Sequence, residues 1–511
     1  MSKGKFYLTT PAYYVNDIPH IGHAYTTIAA DVLARFKRME GYNVFFVTAT
    51  DEHGIKIQRS AEERGKTPKE WADIVVEGFK KAWKTLNISY DHLIRTTDDY
   101  HEAGVQAFFK TLQDHGHIYL GDYEGWYCVP DEAFWTEKQL VNGNCPECGR
   151  KVERVKEKSY FFKLSAFGEK ILEHIRQNPT FIEPETRRNE IVSRIQQGLM
   201  DLSISRTTVS WGIPVPGDEK CVIYVWVDAL INYITAVGFG TDQTKFRTYW
   251  PADLHLIGKE ILWFHTVIWP AMLMAAELPL PTRVFGHGWW TVEGQKMSKS
   301  LGNVIDPIKL ADSYGLDAVR YFLLREGTFG KDSDFSRAAM ITRINNELAN
   351  DLGNLLSRTL AMIKRYNDGL IPQPDPGEED AQLRQMASSL FSRMKPQMDQ
   401  LQFSLALEEI WAFVRRCNKF VEENAPWELA KSPDKKARLD TVLYTLAESL
   451  RIITTLLAPF MPQAAAQMYE QLGLDRFDEL NFEHLDQWGR LDPASRIRPG
   501  KPLFPKVKES D

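Results

Sequence analysis

Cysteine is scarce in this chain, with five in 511 residues. That is too few to staple a secreted scaffold, and the odd count leaves one thiol outside any complete set of disulfides. A reducing, cytoplasmic compartment is expected. Long apolar runs are missing too. The first ten residues hold no apolar core of signal-peptide length, and the longest greasy stretch, Val267 to Ala276, is broken by Pro270, so no membrane segment is expected. Neither sign of charge dominates: 62 basic against 68 acidic residues give a net charge of -6. Bulk attraction to nucleic acid or to an acidic membrane is thereby disfavoured, and any nucleic-acid contact must be a local patch. Internal repeats and low-complexity tracts are absent, and between residues 371 and 470 the only glycine is Gly377.

What the chain does have is ample core material. Hydrophobic residues make up 43% and aromatics 12%, with 14 Trp and 27 Phe, enough for several cores at a length that suggests about three domains. Phe6 to Thr9 reads as a buried strand, followed by a loop from Pro11 to Pro19. Ile21, Tyr25, Ile28, Val32, Phe36 and Met39 then recur at helical spacing until Gly41 stops the run. A second strand, Val44 to Val47, follows without a hairpin turn. Strand, helix, strand is a βαβ unit, so the fold class is α/β with a parallel sheet, and ligands are expected at the carboxyl ends of its strands. A Gly-, Pro- and Cys-containing segment from about Tyr123 to Val155 reads as an insertion. Strand patterning returns at Cys221 to Trp226, Leu254 to Ile257 and Val284 to Gly288, as a second βαβ half. From Arg337 onward the pattern is helical, and Leu407, Ile410, Trp411, Val414, Cys417 and Val421 form one apolar stripe of a bundle helix.

Two motifs carry chemistry. His20-Ile21-Gly22-His23 opens the first long helix, where unpaired N–H groups and the helix dipole favour an anion. Alone, the pair reads equally well as surface histidines capping a helix or as half of a metal site. No Gly-x-Gly-x-x-Gly follows the first strand, which argues against a nicotinamide or flavin enzyme. Lys296-Met297-Ser298-Lys299-Ser300, between Gly294 and Gly302, reads as a mobile loop whose lysines suit a triphosphate and the charge developing on a departing pyrophosphate. The plainer reading of the second motif is a solvated Lys/Ser loop. Both motifs on a split sheet favour nucleotide chemistry.

On these residues the sequence resembles the class I aminoacyl-tRNA synthetases, whose signatures are a His-Ile-Gly-His box and a Lys-Met-Ser-Lys-Ser loop. Thr50-Asp51-Glu52-His53-Gly54, Tyr224-Val-Trp226-Val-Asp228-Ala229, Ile257-Gly-Lys259-Glu260-Ile261 and Asn424-Ala-Pro426-Trp427 narrow the resemblance to the methionyl-tRNA synthetase family over nearly the whole chain. It implies a Rossmann-like catalytic domain split by a zinc-knuckle insertion and followed by an α-helical anticodon-binding domain. The expected boundaries are 1–115 and 221–290 for the two catalytic halves, 116–220 for the insertion, 291–345 for the lysine loop and linking segment, and 346–511 for the bundle and tail.

The same resemblance implies that ATP, L-methionine and tRNA(Met) are the partners, with Mg²⁺ accompanying ATP. His20, His23, Lys296 and Lys299 would be catalytic and, with Gly22, would bind ATP. Pro11, Ala12, Tyr14, Asp51, Trp226, Ala229, Leu230, Tyr233, Ile261 and His265 would bind methionine, Asp51 taking the ammonium and the aromatics surrounding the thioether. Asn354, Arg358 and Trp427 would meet the anticodon, by base stacking and edge reading; a solvated helix face with a buried Trp is the plainer alternative. Arg343, Arg358, Lys364, Arg365, Arg415, Arg416 and Lys419 are candidates for a local basic patch. One zinc would be held by Cys128, Asp131, Cys145 and Cys148, two pairs with the two-residue gap of a metal knuckle; Asp131 stands where relatives commonly carry cysteine, and a knuckle that has lost its metal is the alternative. Cys221 and Cys417 read as core residues.

The insertion is too short for the hydrolytic editing domain of a Leu, Ile or Val enzyme, and Asn-Ala-Pro-Trp separates the chain from the Cys, Leu, Ile and Val enzymes alike. A non-catalytic RNA-binding paralogue would have lost the phosphate-handling residues that are present here. A chain ending shortly after Lys506 lacks the dimerising extension of longer relatives, so a monomer is expected.

Overall fold

Ten residues, Lys5–Tyr14 (β1), form the strand on which the main parallel sheet is assembled. The computed structural model describes residues 3–15, 19–130, 133–135, 137–146, 148–297, 302–375 and 380–508. It divides into two compact units, one made of the chain up to Ala30 with Asn43–His287, the other of Asp31–Tyr42 with Gly288 onward.

In the first unit β1 is joined by Asn43–Asp51 (β2), His92–Arg95 (β3), Ile182–Glu183 (β4), Leu254–Gly258 (β5) and Val284–His287 (β6). All pairs are parallel, in the order β3-β2-β1-β5-β6-β4. The order reverses direction between β1 and β5, which is where a doubly wound sheet opens a crevice at its strand ends. Helix α1, Ile21–Met39, matches the apolar repeat read from the sequence. Gly41, at φ 94°, turns the chain left-handed where a residue with a Cβ would be strained.

Several local expectations are corrected. Pro11 to Tyr14 is strand, not loop: the β1–β2 register shifts between Thr9 and Ala12. Pro11, which has no N–H to give to a ladder, sits at that bulge. Cys221 to Trp226 does not enter the parallel sheet. Asp218–Ile223 lies in a separate three-stranded sheet between Pro214–Val215 and Ser205–Arg206. Trp226 already belongs to a helix starting at Val225. A short apolar run reads the same way in a strand and in a buried helix turn. The sixth strand of the main sheet is instead Ile182–Glu183, whose two residues carry no pattern.

The insertion is a four-stranded antiparallel sheet dominated by Ile118–Cys128 against Glu153–Phe162, running in register from Ile118↔Phe162 to Tyr127↔Glu153. Remaining helices that matter here are Pro68–Thr85 (α2), Asp99–Asp114 (α3) and Val225–Thr235 (α4).

The second unit is mainly helical, with Leu316–Arg325 (α5), Asn354–Tyr366 (α6), Ala381–Asp399 (α7), Phe403–Asn424 (α8), Lys436–Leu457 (α9) and Pro462–Gln471 (α10), and it also holds a three-stranded sheet of Trp290–Val292, Gln295–Lys296 and Ser333–Phe335. All six stripe residues of α8 are fully buried. Arg320 of α5 is buried as well, bonded to Asp31 (Nη2–Oδ2 2.7 Å) and to the carbonyls of Pro459 and Phe460. Among the described residues no helix is long and apolar enough to cross a membrane.

Candidate active site

At the start of α1 the two histidine rings stack, with centroids 3.9 Å apart and planes 20° from parallel. The Gly22 N–H donates to His20 Nδ1 (3.1 Å), and the His20 N–H to His23 Nδ1 (3.2 Å). A Cβ on Gly22 would come within 3.0 Å of the His20 ring, so the absence of a side chain there lets the ring fold over the helix end. Tyr13 of β1 supports His23 from behind: the rings meet edge to face at 5.0 Å, and the Tyr13 hydroxyl pairs with Thr27 at 2.8 Å. Tyr13 had no role in the sequence reading; its neighbour Tyr14 did. Adjacent strand residues face opposite sides of a sheet, which is why the two tyrosines serve different groups.

Tyr14 is the register partner of Asp51, at the carboxyl ends of β1 and β2. Asp51 is buried, and the turn that follows it is held from two directions. Glu52, fully buried, takes a bidentate pair from Arg95 (Nε–Oε1 and Nη2–Oε2, both 2.7 Å) and hydroxyl bonds from Thr50 and Thr97. His53 donates through Nδ1 to Asp228 of α4 at 2.8 Å, and His101 of α3 reaches the other Asp228 oxygen at 2.7 Å. Burial works against the Asp228 charge, yet His53 and His101 hold its carboxyl below the usual range. Burial likewise opposes a charged His53, but Asp228, Glu102 and Glu52 leave its pKa raised. Of the two motifs the sequence assigns roles to Asp51, Trp226 and Ala229 but none to His53 or Asp228; a bond between residues 175 positions apart leaves no trace in spacing.

From Tyr14 a chain of rings continues. Tyr14 meets Trp226 at 6.1 Å and 88°, and Trp226 stacks on Phe264 at 3.9 Å and 11°. Beside them Tyr233 Oη pairs with His265 Nε2 at 2.7 Å, and His265 Nδ1 faces the Ile261 carbonyl at 2.9 Å. A carbonyl only accepts, so Nδ1 carries the proton and Nε2 accepts from the Tyr233 hydroxyl. Burial pushes His265 down to about 4, so the ring is neutral near pH 7. The structure therefore brings Tyr14, Asp51, Trp226, Tyr233, Ile261 and His265 into one linked set, with Ala229 and Leu230 buried on the same helix as Trp226 and Tyr233. Phe264, which the sequence reading missed, completes it. Pro11 is buried at the bulge, and Ala12 is half-buried beyond it.

Lys296 ends a two-residue strand opposite Thr291, joined by a tight turn through Glu293 (φ 49°) and Gly294 (φ 75°). Two successive positive φ values define a type I′ hairpin, so ordered structure reaches further into the expected loop. The Lys296 side chain and Lys299 lie outside the described residues.

In the insertion, Cys128, Cys145 and Cys148 bring their sulfurs within 4.8 Å of one another, and Cys128 and Cys148 are 3.5 Å apart without a disulfide. Tetrahedral zinc with Zn–S bonds of about 2.3 Å spaces its sulfurs about 3.8 Å apart, so the cluster fits a metal. Asp131 lies outside the described residues.

In the helical unit Asn354 is exposed on α6, and Arg358, one turn on, pairs with Glu422 at 2.7 Å. The Arg358 guanidinium lies 5.8 Å from the Trp427 ring, and that ring is 37% exposed. The candidate basic patch is largely neutralised within its own unit: Arg343 pairs with Glu326 and Glu347, Arg415 with Glu408, and Arg416 and Lys419 with Glu423.

A split parallel sheet, a His-x-Gly-His helix start at its strand ends and a helical C-terminal domain define a class I aminoacyl-tRNA synthetase. A family model described as tRNA synthetases class I (M) matches residues 6–156 and 149–360, and one described as the anticodon binding domain of methionyl tRNA ligase matches 371–511. The chain is 58% identical over 507 residues to the methionine–tRNA ligase of Caldanaerobacter subterraneus subsp. tengcongensis, covering 99% of this chain and 79% of that protein. It is 50% identical to that of Halalkalibacterium halodurans, covering 98% and 78%. The structure of Mycobacterium tuberculosis methionyl-tRNA synthetase in complex with methionyl-adenylate superimposes with a TM-score of 0.95 at 45% identity, over 98% of this chain and all of that one. The chain belongs to the methionyl-tRNA synthetase family.

Proposed function

We propose that the chain joins methionine to ATP, giving methionyl-adenylate and pyrophosphate, and then transfers the methionyl group to a terminal ribose hydroxyl of tRNA(Met), an ester bond replacing the bond to AMP, which leaves with release of a proton, for elongation and initiation of protein synthesis. The observation that carries this reading is the linked set around Asp51. A buried carboxylate at a strand end, beside an aromatic surround with a neutral histidine, suits an ammonium at one end and an uncharged thioether at the other. Asp51 takes the ammonium, and Trp226, Ala229, Leu230, Tyr233, Ile261 and His265, with Pro11, Ala12 and Tyr14, enclose the side chain.

The methionine carboxylate is already ionised near pH 7, so it attacks the α-phosphate of ATP without a general base. A carboxylate-oxygen to phosphorus bond forms, the bridge to the β-phosphate breaks, and its electron pair leaves with pyrophosphate. His20, Gly22 and His23 hold the phosphates at the helix start, and Lys296 and Lys299 neutralise the charge on the leaving group. Mg²⁺ accompanies ATP. Cys128, Cys145 and Cys148, with Asp131 as fourth ligand, would hold one zinc as a structural staple. Asn354, Arg358 and Trp427 meet the anticodon. In the same reading 1–115 and 221–290 form the catalytic domain, 116–220 the insertion apart from Ile182–Glu183, which completes the catalytic sheet, 291–345 the linking segment and 346–511 the anticodon-binding part, and the enzyme works as a monomer in the cytoplasm.

Amino-acid-dependent ATP–pyrophosphate exchange tests the reading. Exchange with methionine should exceed that with each of the other nineteen amino acids; equal or faster exchange with cysteine, leucine or valine overturns it.

A further inference from the structure

Asp51 stands next to a turn that is bonded to the rest of the unit far more heavily than a loop requires. On one side Glu52 is tied to Arg95, which also bonds Asp73 at 2.5 Å. On the other side His53 leads to Asp228, two residues beyond Trp226 and next to Ala229 on α4. The three members of the bridge, His53, Asp228 and His101, are 2%, 1% and 0% exposed. They come from three separate elements: the turn after β2, the first turn of α4 and the first turn of α3. His101 continues through Nδ1 to the Thr235 hydroxyl at 2.8 Å, near the other end of α4. One carboxylate therefore ties the Asp51 turn to the helix that carries Trp226, Ala229, Leu230 and Tyr233.

We propose that His53 is a positioning residue for the amino acid: bonded to Asp228 and braced by His101, it keeps the Asp51 carboxylate at a set distance from helix α4. The proposal rests on the reading of Asp51 as the ammonium site. A flexible amino acid gripped at two ends is bound well only where those ends stay correctly spaced, and a displacement of about an ångström at a reacting geometry has large kinetic cost. ATP, held at the start of α1, does not use this spacing. Removing His53 leaves Glu52 anchored to Arg95 and Thr97 and its carbonyl bonded by Trp211 Nε1 at 2.6 Å, so the turn stays folded; it loses the bond to α4, together with the weaker approach to Glu102 at 3.8 Å and the ring contact with Trp211 at 5.1 Å.

Pyrophosphate exchange on the full chain separates the roles. His53→Ala should raise KM for methionine by about tenfold or more, as expected for losing a bond to a charged group, while KM for ATP and the rate at saturating methionine change by less than about threefold. His53→Asn places an amide N–H close to where Nδ1 was and should recover most of the loss. Asp228→Leu, which nearly keeps the side-chain size but offers no acceptor to either histidine, should behave like His53→Ala. Equal effects of His53→Ala and His53→Asn, or a parallel rise of both KM values with a lower melting temperature, overturn the proposal in favour of a merely structural histidine. Asp51→Asn is the control. If it leaves KM for methionine unchanged, the ammonium reading fails and the proposal with it; if it raises that KM and His53→Ala does not, the positioning role fails alone.

Discussion

Single side chains in this enzyme are tuned by what surrounds them. His265 is the clearest case. Its Nδ1 proton is committed to the Ile261 carbonyl, its Nε2 lone pair to Tyr233, and burial sets its pKa at about 4. Between about pH 4 and 6.5 the unfolded chain binds a proton that the folded ring refuses, so stability falls as pH is lowered through that window. From pH 7 to pH 4 the wild type should lose about 3 kcal/mol more than His265→Gln does, a difference that urea unfolding at several pH values reads directly. The role proposed for Lys299 is chemical. If it stabilises charge present only on the departing pyrophosphate, Lys299→Ala slows adenylate formation by about 10²–10³ and leaves methionine affinity nearly unchanged. Stopped-flow activation with a methionine titration measures both, and a large rise in dissociation constant at an unaltered rate contradicts the role.

Elements differ in how openly the sequence announces them. Helix α1 was legible to the residue because its apolar repeat is sustained and Gly41 closes it; the stripe of α8 was legible for the same reason. Ile182–Glu183 was not, since two residues show no period, and its place in the sheet is set by pairing with Val284 and Phe285. The knuckle lies between these cases. Two Cys-x-x pairs predicted its ligands, but only antiparallel pairing of the long insertion hairpin brings Cys128, at the end of one strand, to Cys145 and Cys148. Three buried or half-buried sulfurs so close together predict about one zinc per chain after metal-free dialysis. Elemental analysis checks this, and Cys145→Ser should abolish retention while lowering melting temperature. Metal-free protein with an unchanged melting temperature means a knuckle that has lost its metal.

At the scale of the whole molecule, the residues assigned to methionine and those assigned to the anticodon fall in different compact units. Trp427→Ala should therefore separate the two half-reactions. Stacking of a base on an aromatic ring contributes about 1–3 kcal/mol, so charging of tRNA should fall about tenfold or more, while methionine-dependent exchange stays near wild type. Because the ring is 37% exposed, its removal should cost little melting temperature. Exchange, charging and melting on one preparation decide it, and equal losses in both reactions return Trp427 to a structural role.

Chemistry that depends on residue type and near-neighbour spacing was determined by the sequence itself: the histidine pair on a helix start, the lysine motif, the cysteine pairs, the helical periods and the family they point to. Tertiary structure decided everything that joins distant positions. It placed Tyr13 behind His23 and Tyr14 toward Trp226, stacked Phe264 on Trp226, and tied His53 to Asp228 and His101. The physical reason is that helices and strands are written in local backbone geometry, whereas a buried carboxylate chooses its partners only after the chain has folded and water has been removed from around it.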